Sequence, residues 1–224
     1  LDGLGAGHFA GSAGGAGDAG AVALTSIGAV RSIGRDAIAA VGQSDAGTGR
    51  GGDVGIDLSA NIIGDNENSI AIAAQSGGDA GAGNIGITTR AFVLGGSGSG
   101  KAIALSEGAD NLVQNSGDVI ARSLLAMTGT TGNDAVANTG RVIGNVRLNS
   151  GVNSFDNQAG SLFLTLSDVF LTDASAPGAG NTLSNSGLLN VGDNARLQDT
   201  SLLGNLAQAA DGLCHAVALT GHVE

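Results

Sequence analysis

The chain has 224 residues with no tryptophan or tyrosine, one cysteine, one proline and only five phenylalanines. A globule organised around large rings is therefore excluded. So is the aromatic girdle that a membrane-spanning barrel carries at its two interfaces. Cys214 is the sole cysteine, so there is no internal disulfide framework. Charge is also scarce: 13% of residues are charged, and nine cations against twenty acids leave a formal net charge of −11. Scattered cations on an acidic chain argue against nucleic acid and anionic membranes as partners. No apolar stretch is long enough to span a bilayer, so direct membrane insertion of this segment is not expected. No charged start followed by an apolar run marks a secretory signal. The chain begins at Leu1, which suggests a fragment or processed product whose export signal or anchor lies elsewhere.

What the chain has is glycine, at 41 positions, and small aliphatic residues that bring the hydrophobic share to 42%. No strict Gly-X-Y period runs through it, which excludes collagen, and many aliphatics with little charge argue against disorder. The N-terminal half repeats. "AIAAVGQSDAGTGRGGDVGIDL" and "SIAIAAQSGGDAGAGNIGIT" share one form: an alternating apolar strand, a break of Gly, Ser, Asp and Ala, then another strand. Ser12, Ser44 and Ser76 lie 32 residues apart and Ser106 follows 30 later, while Gly20, Gly55 and Gly86 hold a second register. The breaks read as turns, with glycine supplying positive φ. In the second half "GADNLVQNSGDVIA", "GNDAVANTGRVIGNV", "GVNSFDNQAGSLFLTL" and "GNTLSNSGLLNVGD" repeat an Asn-x-Gly step. Asn115, Asn138, Asn157 and Asn185 are placed to stack, with Gly117, Gly140, Gly160 and Gly187 beside them.

One stretch imitates a nucleotide site. "FVLGGSGSGKA", residues 92–102, contains GxxxxGK, the core of a phosphate-cradling loop. Such a loop needs a helix after it and a Ser or Thr after the lysine. Here "KAIALS" alternates like a strand, and Ala102 follows Lys101. Aligned on the preceding repeat, Gly95–Gly100 falls where Gly64–Ser69 lies, so the stretch reads as a turn between two strands of a repeat.

These patterns predict an all-β chain folded as a right-handed parallel β-helix, a solenoid in which each strand is covered by the next repeat. Three regions follow: glycine-rich long-period repeats over 1–106, Asn-x-Gly coils over 107–195, and a C-terminal cap or tail over 196–224. In the last, Asp199 or Thr200 starts a short helix with Leu202, Leu203 and Leu206 on one face. Open ends of the stack make end-to-end or edge association an expectation. Phe155, Phe163 and Phe170 fall in apolar alternation and are assigned to the core.

The repeats with "AAQSGG" at 73–78 and "VGQSDAG" at 41–47 resemble the glycine-rich passenger repeats of bacterial autotransporters. The Asn-x-Gly half is similar to haemagglutinin-type passenger coils, and together the two cover roughly residues 8–195. The resemblance implies a structural or adhesive passenger segment of a secreted surface protein (type V secretion), extracellular or on the bacterial cell surface. It implies a host or neighbouring-cell protein or glycan as partner, and neither an enzyme nor a cofactor. The glycine runs are shorter than usual for such repeats, and the terminal translocator barrel is not in this sequence.

Chemistry-bearing residues fall in a few small groups. Asp65 and Glu67 share a turn with Asn66 and Asn68, and Asp134 sits in "TGNDAV", which has part of the pattern of a calcium-binding β-roll but not the tandem unit it needs. Cys214, His215 and His222 form the one soft-ligand cluster, with fewer ligands than a closed zinc site uses. His8 stands alone, and no catalytic, cofactor or metal residue is assigned. A polysaccharide lyase or hydrolase on the same scaffold is the first alternative, favoured by acids beside Arg or Lys on one outer face, and a calcium-dependent β-roll is the second. The irregular loop "TDASAPGAGN", residues 172–181, holds the only proline and is the candidate contact loop.

Overall fold

The computed structural model describes residues 8–12, 15–171, 180–192 and 196–197. Strands account for all of its regular structure. In chain order they are β1 (His8–Ser12), β2 (Val22–Ser26), β3 (Val30–Ser32), β4 (Ile38–Asp45), β5 (Val54–Leu58), β6 (Ile62–Gly64) and β7 (Ile70–Gly77). Next come β8 (Ile85–Thr89), β9 (Phe92–Gly95), β10 (Lys101–Glu107), β11 (Asp110–Asn115), β12 (Asp118–Thr128), β13 (Asn133–Asn138) and β14 (Arg141–Arg147). The series ends with β15 (Ser154–Asn157), β16 (Leu162–Thr165), β17 (Asp168–Phe170), β18 (Thr182–Asn185), β19 (Leu188–Val191) and β20 (Arg196–Leu197).

The described strand pairs are parallel and join elements one repeat apart, as in β2 with β5 and β5 with β8. Seven strands form one sheet in the order β18-β15-β13-β11-β8-β5-β2. Thirteen form the other, along the path β1-β4-β7-β10-β12-β14-β16-β19 with one branch through β3, β6 and β9 and another from β14 through β17 to β20.

This architecture corrects the expected right-handed parallel β-helix. The chain forms two stacked parallel sheets, and the seven-stranded one is nearly barrel-shaped, curving through 294°. Two features explain the difference. In the early repeats a turn separates β9 from β10, but β12 is continuous and pairs with both: Val119 aligns with Val93, and Ile103 with Met127. Two ladders thereby fuse into one branched sheet. The spacing between paired asparagines also changes, from 23 to 19 to 28 residues, so no constant coil is repeated. The expected helix over 199–206 lies outside the described residues.

Alternation places one side of each strand in a shared interior. In β5 the residues Val54, Ile56 and Leu58 are buried while Gly55 and Asp57 are exposed. Register then aligns the buried residues into columns. Leu24, Ile56, Ile87, Val113, Val136, Phe155 and Leu183 follow one another across the seven-stranded sheet. Val30, Ile62, Val93, Val119, Val142 and Phe163 form the facing column. The two columns meet in one core, where the Phe155 and Phe163 rings lie 4.4 Å apart between centroids. Phe170 differs from expectation: it is half-buried, with the Arg147 guanidinium 5.3 Å from its ring centroid.

The same registry satisfies a series of serines along the stack. Ser12, Ser44 and Ser76 are paired partners on successive strands, as their spacing implied. The Ser44 hydroxyl donates to Gly20 O and accepts from Gly52 N, and Ser76 repeats this with Gly52 O and Gly83 N. Each serine thus pins a turn to the strand beside it. Ser106 breaks the series: Glu107 pairs with Ser76, and Ser106 pairs with Gln75. Among the glycines, Gly55 pairs with Gly86, but Ala23 rather than Gly20 faces Gly55.

The long glycine turns need close approach more than positive φ. A methyl group on Gly52 would lie 2.5 Å from Gly20 O, and one on Gly83 would lie 2.4 Å from the Gly52 carbonyl carbon. Turn backbones of neighbouring repeats therefore rest directly on each other.

In the second half the serines give way to amides. Asn115 Nδ2 donates to Asn138 Oδ1 at 2.8 Å, Asn138 to Asn157 at 2.8 Å, and Asn157 to Asn185 at 2.7 Å. Asn138 is fully buried and also donates to Leu162 O and accepts from Gly140 N. The partner glycines are Gly117, Gly140 and Gly187, with Ser161 at the step where Gly160 was expected; Gly160 lies one residue away, at φ +83°. Replacing Asn138 with Ala strands several buried donors and acceptors and is expected to cost about 2–3 kcal/mol. Asn185→Ala, at the half-buried end of the ladder, is expected to cost about 1 kcal/mol or less. Denaturant unfolding of both variants checks the ranking, and equal losses would contradict a continuous ladder.

Candidate functional site

A second amide column runs through Asn111, Asp134, Asn153 and Asn181. Asn111 Nδ2 donates to the carbonyl of Glu107, four residues back, and Asn153 Nδ2 does the same to Asn149 O. Asp134 occupies the matching place with a carboxyl group. It is fully buried; its Oδ1 accepts from Asn111 at 2.8 Å, and its Oδ2 has no hydrogen-bond partner. Burial pushes the carboxyl up to about 7, against the opposing pull of the Asn111 hydrogen bond. The calcium pattern suggested by "TGNDAV" therefore places its acid inside the protein. Among the described residues no group of three or more His, Cys, Asp or Glu is arranged to hold a metal.

The raised value has a definite consequence for stability. Between the ordinary carboxylate value, 3.8, and about 7 the folded chain holds a proton at Asp134 that the unfolded chain has released. Stability therefore declines as pH rises through that window. Asp134→Asn supplies a neutral donor at Oδ2 and is expected to raise stability above about pH 7 by up to about 4 kcal/mol, with little change near about pH 4. Thermal melts across pH check this; a variant that is less stable than the parent at neutral pH would contradict it.

The turn containing Asp65 gathers charges from distant repeats. Asp65 is paired with Arg31, and Arg122 Nη1 reaches Asp65 Oδ1 at 2.9 Å and Asp65 O at 2.8 Å. Nearby, Arg35 Nη2 lies 2.8 Å from Glu67 Oε2. Asn66 Nδ2 donates to Ile33 O and Asn68 Nδ2 to Asp36, so these amides bind the turn to the preceding repeat. Hydrogen bonds from Arg31 and then Arg122 hold the Asp65 carboxyl below the usual carboxylate range. A carboxylate stabilised this way is ionised and poorly suited to accepting or delivering a proton near neutrality.

The glycine-rich loop of residues 95–101 is the expected turn between strands. Gly98 is at φ +65° and strand β10, not a helix, follows. A methyl group on Gly98 would lie 2.6 Å from Asn68 Oδ1, so the turn sits against the previous repeat. Yet this turn borders an open cleft of about 310 Å³. Its walls are Ser99 and Lys101 from the turn, Ser123 and Leu125 from β12, and Asn145 and Arg147 from β14.

A break in β12 shapes the cleft. Pairing with β14 shifts register between Ile120 and Leu125, and Leu124 adopts φ +70°. A branched side chain in that conformation costs roughly 1–2 kcal/mol. Gly144 accommodates the bulge, for a methyl group there would lie 2.9 Å from Leu124 O. The bulge turns Ser123 and Leu125 toward the space that Lys101 and Arg147 border.

In the sequence Lys101 reads as the end of a repeat turn, and Arg147 belongs to no motif. Their partnership depends on pairing between β10, β12 and β14, which no local motif encodes. Cys214, His215, His222 and residues 172–179 of the candidate contact loop lie outside the described residues. His8 is in β1, paired with Ala40.

No protein-family model matches the chain, and no curated protein or solved structure is significantly similar to it.

The Asp65 cluster gives a direct expectation. Asp65→Asn is expected to lower the melting temperature slightly at low ionic strength, by a difference that shrinks as salt is added, because exposed pairs are screened. A large, salt-independent loss in a calorimetric melt would contradict a surface ion-pair role.

Proposed function

We propose that the chain is a structural and adhesive passenger segment of a secreted bacterial surface protein, of the autotransporter kind, acting outside the cell. Its work is presentation: a stiff acidic scaffold carries turns and clefts to a protein or glycan on another surface. The observation that supports this best is the unbroken registry from β2 to β18, with buried amide and hydroxyl ladders beneath turns that face outward. Such a stack resists local opening because freeing one strand strands the hydrogen bonds of two neighbours. Among the described residues β2 and β18 end the seven-stranded sheet, and strand edges of this kind favour edge association.

A glycan-cleaving reading draws on the Arg31–Asp65–Arg122 cluster, since acids and arginines do meet on one exposed face. The depressed Asp65 carboxyl counts against it as an acid–base group. Adhesion is the sharper test. Beads coated with the purified chain are expected to retain epithelial or bacterial cells well above albumin-coated beads, and to keep doing so after protease treatment that degrades albumin. Retention at the albumin level on both cell types would overturn the proposal.

A further inference from the structure

The outer face of the branched sheet carries an apolar stripe that the core does not use. Ile63, Leu94, Ile120, Ile143 and Leu164 are aligned partners on β6, β9, β12, β14 and β16. Each follows a core residue of the column from Ile62 to Phe163, so alternation turns it to the opposite face. All five are half-buried, and none belongs to either buried cluster. The outward column of the seven-stranded sheet is different: it runs Asp57, Thr88, Gln114, Ala137, Asp156 and Ser184, a mainly polar series that suits water. Parallel strands that are apolar on both faces are characteristic of sheets covered on both sides. Four strand intervals of about 4.8 Å make the stripe about 19 Å long, a patch on the order of a few hundred Å² and of the size that marks a contact surface.

A second outward column, two residues back along the strands, selects what covers it. Phe92, Asp118, Arg141 and Leu162 are aligned in that order on β9, β12, β14 and β16. Arg141 Nε donates to Asp118 Oδ1 at 2.6 Å. The order apolar, acid, base, apolar is its own complement when reversed. A second copy, turned over about an axis that runs along the strands between β12 and β14, meets the first in that reversed order. Phe92 then faces Leu162 of the other copy, Asp118 faces Arg141, Leu94 faces Leu164, and Ile120 faces Ile143. At the ends of the stripe Ile63 faces Asn190, which forms a polar rim. An isologous contact of this kind makes every pairing twice. Sheets packed face to face with aligned strands lie about 10 Å apart, as in a β-sandwich. A lipid surface or a purely apolar partner would desolvate the Asp118–Arg141 pair and offer it no matching charge.

We propose that two copies of this chain dimerise face to face through this stripe, with their strands aligned and their stacks running in opposite directions. The contact is small, so its Kd is on the order of micromolar. The dimer does not depend on adhesion to another surface, because both partners are this chain in solution.

Sedimentation equilibrium of the full chain tests the dimer, which is expected to become populated between about 1 and about 100 μM. Ile120→Thr combined with Ile143→Thr keeps strand-forming side chains and removes the apolar centre from both copies. It is expected to weaken the dimer about tenfold or more while the circular dichroism spectrum stays that of the parent. Cysteine mixing tests the arrangement with that centre intact. On a Cys214→Ser background, a mixture of Leu94→Cys chains and Leu164→Cys chains is expected to form disulfide-linked dimers. Leu94→Cys alone should not, since its two copies would lie three strand intervals, about 14 Å, apart. If the double threonine variant does not fold, the cross-linking result decides. The proposal is overturned if the full chain stays monomeric up to about 1 mM, which would leave the stripe to a different partner. It is equally overturned if the folded double variant dimerises unchanged, or if Leu94→Cys links to itself as readily as the mixture links.

Discussion

Parallel pairing between repeats is the constraint on which everything else in this molecule rests. A strand in this arrangement has no hairpin partner; its amides and carbonyls are satisfied only when the next repeat lies in register beside it. Register in turn decides where side chains go, because a slip of one residue would move every buried aliphatic group to the opposite face. The columns from Leu24 to Leu183 and from Val30 to Phe163 exist because that slip does not occur. The interior contains small aliphatics and two touching phenylalanines, in keeping with a composition almost without aromatic residues.

Polar ladders make the register specific where aliphatic packing alone would tolerate error. A buried asparagine has both donors and acceptors to satisfy, and a neighbour of the same type at the same height satisfies them. The first half uses serine for this purpose and ties each hydroxyl to glycine turns whose backbones touch. The second half uses asparagine and shortens its turns. Asp134 departs from the rule, a carboxyl in an amide position with one oxygen unpartnered, and its burial raises its proton affinity.

Much of this was legible in the sequence, for a physical reason. Alternation reports one-sided burial directly, and repeated Ser or Asn at near-constant spacing reports stacking, so Ser12, Ser44, Ser76 and the four asparagines are paired as their positions implied. Ser106 and Gly160 misled because spacing alone cannot locate a shift of one residue at a turn. The overall shape is not legible because β12 reads locally like its shorter predecessors, yet runs on through a bulge to fuse two ladders. The charged groups were least legible. Arg122 is 57 residues from Asp65, and the Lys101–Arg147 cleft arises from three strands. A lysine dismissed as part of a false phosphate loop thus returned as a wall of that cleft.

Disulfide trapping offers the most direct test of parallel, in-register pairing. On a Cys214→Ser background, outward-facing positions of β8 and β11 supply the cysteine pairs, with Gly86 aligned to Leu112 and the half-buried Thr88 to Gln114. A methyl group on Gly86 would meet nothing within 4 Å, so cysteine fits there. The account predicts rapid intramolecular cross-linking of Gly86→Cys with Leu112→Cys, and of Thr88→Cys with Gln114→Cys, because paired positions fall within disulfide reach. The crossed combinations, Gly86 with Gln114 and Thr88 with Leu112, should remain reduced; preferential oxidation of those two would mean that the strands run in opposite directions and would contradict the account.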